Sequence, residues 1–148
     1  MIEREELTRA LERAPSLAER LASEAPFDSI DDAIQRARTL LDDMPIGERI
    51  AVLDAHPRIG AVPSSLSEHS RREQGADDPA VAAELARLND EYERRYGFRF
   101  VVFVAGRSKA EIVPVLRERL GRPREDELLT GTGEFLAIMR DRLSRARP

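Results

Sequence analysis

The residues of this chain best suited to chemistry begin with His56, in the stretch Ala55-His56-Pro57-Arg58-Ile59-Gly60. Imidazole is the side chain whose unperturbed pKa lies nearest neutrality, so a histidine held in place can take up and release a proton under ordinary conditions. Pro57 supplies the holding. It has no N–H to donate and pushes His56 towards an extended backbone, while Gly60 accepts angles that other residues avoid. An apolar helical run therefore ends in a stiff corner that carries a titratable ring. The plainer reading of the same histidine is a helix-end side chain that caps carbonyls or faces water.

A second polar group follows in Ser67-Glu68-His69-Ser70-Arg71-Arg72-Glu73-Gln74. Ser70 and Glu73 lie three residues apart and Ser70 and Gln74 four, so a helix would point all three in one general direction and could line a pocket with them. A solvent-facing turn, with Ser70 and Glu73 forming a capping box, fits the same spacing. Two arginines are candidate anion ligands. Arg107 stands between Gly106 and a helix start, whose free amides could share an anion with it. Arg142 precedes Leu143 on the last helix; drawn towards the core, it would need a carboxylate or an anionic ligand. For both arginines the simpler expectation is an exposed position.

Other chemistries have little to rest on. The chain has no cysteine, which removes disulfides, thiolate nucleophiles and cysteine-based metal sites, and its two histidines make a histidine-rich zinc site a poor expectation. No phosphate-cradling glycine loop, nucleophile elbow or metal-ligand cluster is present, so acid–base chemistry without a metal or cofactor remains. The net charge of -4 argues against a dedicated nucleic-acid surface and leaves Arg71-Arg72 and Arg94-Arg95 as solvated faces. No apolar run approaches the length that spans a bilayer, and neither end carries a targeting pattern, so a cytoplasmic location is expected.

The elements that must position these groups are helical. At 148 residues the chain suits one domain, spanning 1–148, with one core. Leu7, Leu11 and Ala14 predict a helix over 5–14, and Ser16 with Glu19 a cap for a second that stops near Pro26. Ile30, Ile34, Ala37, Leu41 and Met44 form the stripe of a third. Pro45 suits the first turn of a fourth, whose Ile46, Ile50 and Leu53 carry its apolar face up to His56. The strongest pattern starts at Pro79, with Val81, Leu85, Leu88, Tyr92 and Tyr96, and Gly97 at its C-cap. Then comes Phe98-Arg99-Phe100-Val101-Val102-Phe103-Val104, a strand by propensity but without any second strand to pair with. A buried extended piece, whose free backbone groups meet something else such as a ligand, is preferred over a helix. Ser108-Lys109-Ala110-Glu111 is a capping box opening a helix in which Pro114 could place a kink, and a final helix runs from about Arg124 to Arg145. The fold class is therefore all-α: a single-domain bundle of about seven to eight helices with one buried extended segment.

Taken together, these segments resemble the OHCU decarboxylases. The resemblance is carried by Ala55 to Gly60, by Ser70-Arg71-Arg72-Glu73-Gln74, and by Leu88-Asn89-Asp90-Glu91-Tyr92 running into Tyr96 to Val102. The Gly106-Arg107-Ser108-Lys109 turn and the Arg142-Leu143 pair extend it, in order, over nearly the whole chain. It implies an all-helical, dimeric enzyme without cofactor or metal, which decarboxylates 2-oxo-4-hydroxy-4-carboxy-5-ureidoimidazoline to (S)-allantoin, the last step from urate. It further implies that His56 is the catalytic acid/base, with Glu73 orienting it or the substrate, that Ser70, Glu73 and Gln74 contact the substrate and that Pro57 packs against it. Backbone groups of Phe100, Val101, Val102, Phe103 and Val104 would hydrogen-bond the ureidoimidazoline, and Arg142, or Arg107, would hold a negative oxygen. The chain departs from the pattern at Arg99, where the family commonly has proline, and in the short Gly75-Ala76-Asp77-Asp78 link. The rival reading is a non-catalytic helical interaction module in which His56 only caps its helix.

Overall fold

Apolar residues at spacings of three and four dominate the chain, and the computed structural model, which describes residues 1–59 and 78–146, is built almost wholly of helices. Among the described residues there are seven: α1 (Arg4–Ala10), α2 (Pro15–Ala22), α3 (Ile30–Asp43), α4 (Ile46–Asp54), α5 (Pro79–Tyr96), α6 (Lys109–Arg119) and α7 (Arg124–Arg145). Their buried side chains form one apolar cluster running from Ile2 to Leu143. No helix among the described residues is long and apolar enough to cross a membrane. The polar run from Ser67 to Gln74, with Ser70, Glu73 and Gln74, lies outside the described residues.

The first two helices differ in detail from the pattern. α1 ends at Ala10, and Leu11 and Ala14 are buried in the connecting turn instead. Ser16 is not the cap of α2. Pro15 takes the first helical position after Ala14, where its missing N–H costs nothing and its fixed φ suits the turn, so Ser16 falls inside the helix. Backbone bonds between Ile2 and Phe27, 2.7 and 3.0 Å long, close this N-terminal portion. α3 follows its stripe, capped by Ser29, whose hydroxyl accepts from the Asp32 N–H at 3.1 Å. In α4 the expectation for Ile46 fails. Pro45 precedes the helix, Ile46 is 57% exposed, and Val52 and Leu53 provide the fully buried face. The reason is where α4 docks: Leu53 sits over Gly131 of α7, so close that a methyl group there would stand 3.3 Å from Leu53 Cδ1. The small residue admits α4 to the surface of α7.

α5 ends at Gly97, whose φ of 80° is the left-handed angle that glycine takes at low cost. The segment 98–104 is extended, mostly buried and unpaired with any strand among the described residues. Helix side chains hold it instead. The Arg99 N–H donates to Asp54 at 2.9 Å, Arg119 donates to the Val101 carbonyl at 2.7 Å, and the Phe103 N–H reaches Glu134 at 3.4 Å. A turn at Ala105-Gly106 leads to the Ser108 and Glu111 capping box of α6. Neither Arg119 nor Glu127 is marked by periodicity, yet both are buried and bonded at 2.8 Å, with the Tyr92 hydroxyl donating to the same Glu127 oxygen at 2.6 Å.

Candidate functional site

His56 stands just past the last residue of α4. Its N–H continues the helical pattern by donating to the Leu53 carbonyl at 3.1 Å, and Pro57 prevents the next residue from doing the same. The chain beyond the corner is fastened to α5. Arg58 donates to Glu93 at 2.6 Å and to Asp90 at 2.8 Å, and the Asn89 amide donates to the Ile59 carbonyl at 3.1 Å. The imidazole is thus neither a loose cap nor a surface group; it is 8% exposed. Its ring lies edge-on to that of Phe135, with centroids 5.6 Å apart and planes at 90°.

Phe135, Met139 and Arg142 occupy positions four and three apart on α7 and share one face of it. Arg142 is buried, not exposed, and its Nη1 donates to the Ala10 carbonyl at the end of α1 at 3.1 Å. Burial holds the His56 imidazole well below its ordinary pKa, and the positive charges of Arg142 and Arg13 add to the effect, together pushing it down to about 3. In the folded chain His56 is therefore neutral at physiological pH, able to accept a proton or to donate through one nitrogen.

The extended segment is joined to this corner through Arg99, whose Nη1 donates to the His56 carbonyl at 2.8 Å. The N–H groups of Val102 and Val104 and the Val102 carbonyl have no hydrogen-bond partner among the described residues, although both residues are buried. Buried backbone groups in that condition are costly unless something polar comes to meet them. Arg107 faces the end of this segment: its Nε donates to the Val104 carbonyl at 2.9 Å and its Nη2 to the Phe103 carbonyl at 2.6 Å. Two of its donors are thus directed at protein carbonyls, the geometry of a residue that fixes the turn.

Of the residues singled out by sequence, Pro57 follows His56 at the corner, Arg142 comes within electrostatic reach of the imidazole, and Phe100 to Val104 follow Arg99, which bonds the His56 carbonyl, with Arg107 bonded to the Phe103 and Val104 carbonyls. Ser70, Glu73 and Gln74 lie outside the described residues. Arg13 and Phe135 do not stand out in the sequence as site residues. Arg13 lies in the turn between α1 and α2, and only the packing of that turn against the bundle brings it to the histidine. Phe135 carried a signal, its helical spacing with Arg142, but the stripe alone does not say which neighbour it meets. No group of histidine, cysteine, aspartate and glutamate side chains suited to a metal ion occurs among the described residues.

Comparison with known proteins gives consistent matches. Residues 3–144 match the family model described as OHCU decarboxylase. The chain is 31% identical over 137 residues to 2-oxo-4-hydroxy-4-carboxy-5-ureidoimidazoline decarboxylase of Halalkalicoccus jeotgali, a match that covers 89% of this chain and 77% of that protein. It is 30% identical over 138 residues to the uric acid degradation bifunctional protein PucL of Bacillus subtilis, covering 90% of this chain and 28% of that longer protein. Its fold is similar to that of an OHCU decarboxylase crystallised in the presence of (S)-allantoin, with a TM-score of 0.77, 23% identity and 94% of each chain covered.

Proposed function

The chain belongs to the OHCU decarboxylase family, and from that premise we infer that it removes carbon dioxide from 2-oxo-4-hydroxy-4-carboxy-5-ureidoimidazoline to give (S)-allantoin in the degradation of urate. The observation that carries the reading at the site is the neutral, buried imidazole of His56 between Phe135 and the field of Arg142.

The chemistry asks for little more. When the carboxylate leaves as carbon dioxide, the electron pair of the broken C–C bond moves towards the adjacent C=N, whose nitrogen takes up a proton. The hydroxyl proton must then leave its oxygen, and a proton must reach the carbon bearing the ureido group from one face. His56 is suited to that exchange: it accepts the hydroxyl proton on its free nitrogen and delivers it to carbon. Arg142 holds the negative oxygen, and binding that anion offsets the cationic field which disfavours the protonated imidazole. The backbone groups of Val102 and Val104 that have no partner among the described residues match the donors and acceptors of a ureido group, and Pro57 closes the pocket beside the ring. Glu73 orients His56 or the substrate, with Ser70 and Gln74 as further ligands. The reading includes a homodimer in the cytoplasm, acting without cofactor or metal.

The test uses substrate made in place, by oxidising urate in the presence of hydroxyisourate hydrolase, with circular dichroism following the allantoin formed. Addition of the protein should make the signal of the (S) enantiomer grow faster than the spontaneous reaction. Growth at the spontaneous rate would overturn the assignment.

A further inference from the structure

We propose that Arg99 is a positioning residue for the reaction: a latch that sets the distance between His56 and the extended segment. The proposal rests on the reading of the site given above, in which the imidazole moves a proton on a substrate held by the backbone of Phe100 to Val104.

Arg99 is the second residue of the extended segment, and both its main chain and its side chain reach the end of α4. Its N–H donates to Asp54 Oδ1 at 2.9 Å, and its guanidinium Nη1 donates to the His56 carbonyl at 2.8 Å. Asp54 is the last residue of α4 and His56 lies two beyond, so one residue grips the corner on both sides of Ala55. Among the described residues these are the two hydrogen bonds that join the extended segment to α4 and its corner. The other ties on the segment run elsewhere: Val101 to Arg119 of α6, Phe103 to Glu134 of α7, and the Phe103 and Val104 carbonyls to Arg107 in the turn that follows.

The chemistry of the grip is favourable at both points. A carbonyl just past a helix end lacks an intrahelical donor and carries the negative end of the helix dipole, so a guanidinium is a strong partner for it. The second bond needs a residue with a backbone N–H, which proline lacks. Arg99 is half-buried, where its loss removes a tie without opening the core. Proton transfer to carbon depends on sub-ångström placement of donor and acceptor, and here the two partners ride on different elements. Arg142 of α7 and Arg13 of the α1–α2 turn set the charge around the ring; Arg99 touches only the backbone of His56 and so acts on its position.

The experiment compares the full-length chain with Arg99→Ala, Arg99→Lys and Arg99→Pro, reading kcat, KM, the enantiomeric purity of allantoin and Tm. Arg99→Ala is expected to lower kcat about tenfold with KM changed less than about twofold, and to lower enantiomeric purity, at nearly constant Tm. Arg99→Lys, which keeps one donor and the charge, restores most of the loss, and Arg99→Pro, which removes both bonds at once, exceeds it. Wild-type kcat and purity in Arg99→Ala, or a loss that only parallels a fall in Tm, would overturn the latch. A second measurement does not depend on turnover: the imidazole resonances of His56, assigned by their absence in His56→Asn, shift in Arg99→Ala if the latch exists. Superimposable resonances overturn it even if the wild type proves inactive, an outcome that by itself would instead overturn the decarboxylase reading.

Discussion

The His56 imidazole meets the Phe135 ring edge to face at 5.6 Å, and the helix that supplies this ring supplies Arg142 two turns further on. One face of α7 therefore does two things to the same histidine. Phe135 packs edge-on against the buried imidazole, while Arg142 places a positive charge where protonation of the ring is disfavoured. A buried histidine so treated is neutral before any ligand arrives, and an anion that offsets the cationic field would raise its pKa towards the operating pH, where a proton carrier works best.

Replacing the ring tests this directly. His56→Asn keeps a polar side chain of smaller size and removes the proposed proton carrier, so kcat should fall by about 10²- to 10⁴-fold with KM little altered. Stopped assays by circular dichroism on enzymatically generated substrate measure it. Full activity in His56→Asn would remove His56 from the proton step.

The same depressed pKa ties stability to pH. Burial first, then Arg142 and Arg13, lower the folded-state value from 6.5 to about 3, so between those limits the unfolded chain binds a proton that the folded chain does not. Stability is accordingly full above about pH 6.5 and declines as pH falls towards 3; at pH 5 the His56 contribution to the loss is about 2 kcal/mol. Urea unfolding at pH 7.5 and pH 5 should show a larger loss in the wild type than in His56→Asn by that amount. Equal losses would mean that the imidazole titrates normally in the folded chain.

Arg142 lends itself to a separate test. Arg142→Gln keeps a donor for the Ala10 carbonyl but removes the charge. The His56 pKa should then rise yet stay below 6.5, because burial, the larger cause, is untouched. If Arg142 also holds the substrate anion, KM rises about tenfold or more in the same variant. A nuclear magnetic resonance titration of the imidazole and steady-state kinetics separate the two effects: a shifted pKa with unchanged KM would leave Arg142 as a source of field alone.

Much of this arrangement was legible before the fold, for reasons that are local. The bounds of α7 follow from Pro123 and the apolar run, Gly97 ends α5 because it alone takes a positive φ cheaply, and Ser108 with Glu111 forms the capping box that its spacing announces. The segment 98–104 read as an extended piece without a strand partner because no other stretch of the sequence could pair with it. What escaped notice depends on how elements meet. Ile46 looks like part of an apolar face until α4 docks on Gly131 through Leu53. Arg13 and His56 are brought together by a turn whose sequence says nothing of its destination. Arg119 in an Arg-Glu-Arg run looks like a solvated charge, since its acceptor Glu127 and the Val101 carbonyl come from other elements.

That buried arginine provides the remaining prediction. Arg119 bonds Glu127 and the Val101 carbonyl at once and lies over the Phe100 ring, 4.5 Å from its centroid. Tyr92 donates to the same carboxylate, and burial together with that bond raises its pKa above the ordinary tyrosine value. Removing Arg119 leaves the fully buried Glu127 with only the Tyr92 hydroxyl and the more distant Arg122, 3.9 Å away, so Arg119→Met should destabilise the fold by about 3 kcal/mol. Arg119→Met combined with Glu127→Leu removes the stranded charge and should recover most of that stability, although the Tyr92 hydroxyl loses its acceptor. Activity should not recover with it. The Val101 carbonyl still lacks the donor that holds the extended segment from behind, and on the proposed reading that segment binds substrate, so KM stays raised by about fivefold to tenfold while Tm returns. Chemical denaturation and steady-state kinetics on the two variants decide the point: a double variant that regained both stability and wild-type KM would show that Arg119 serves the core alone.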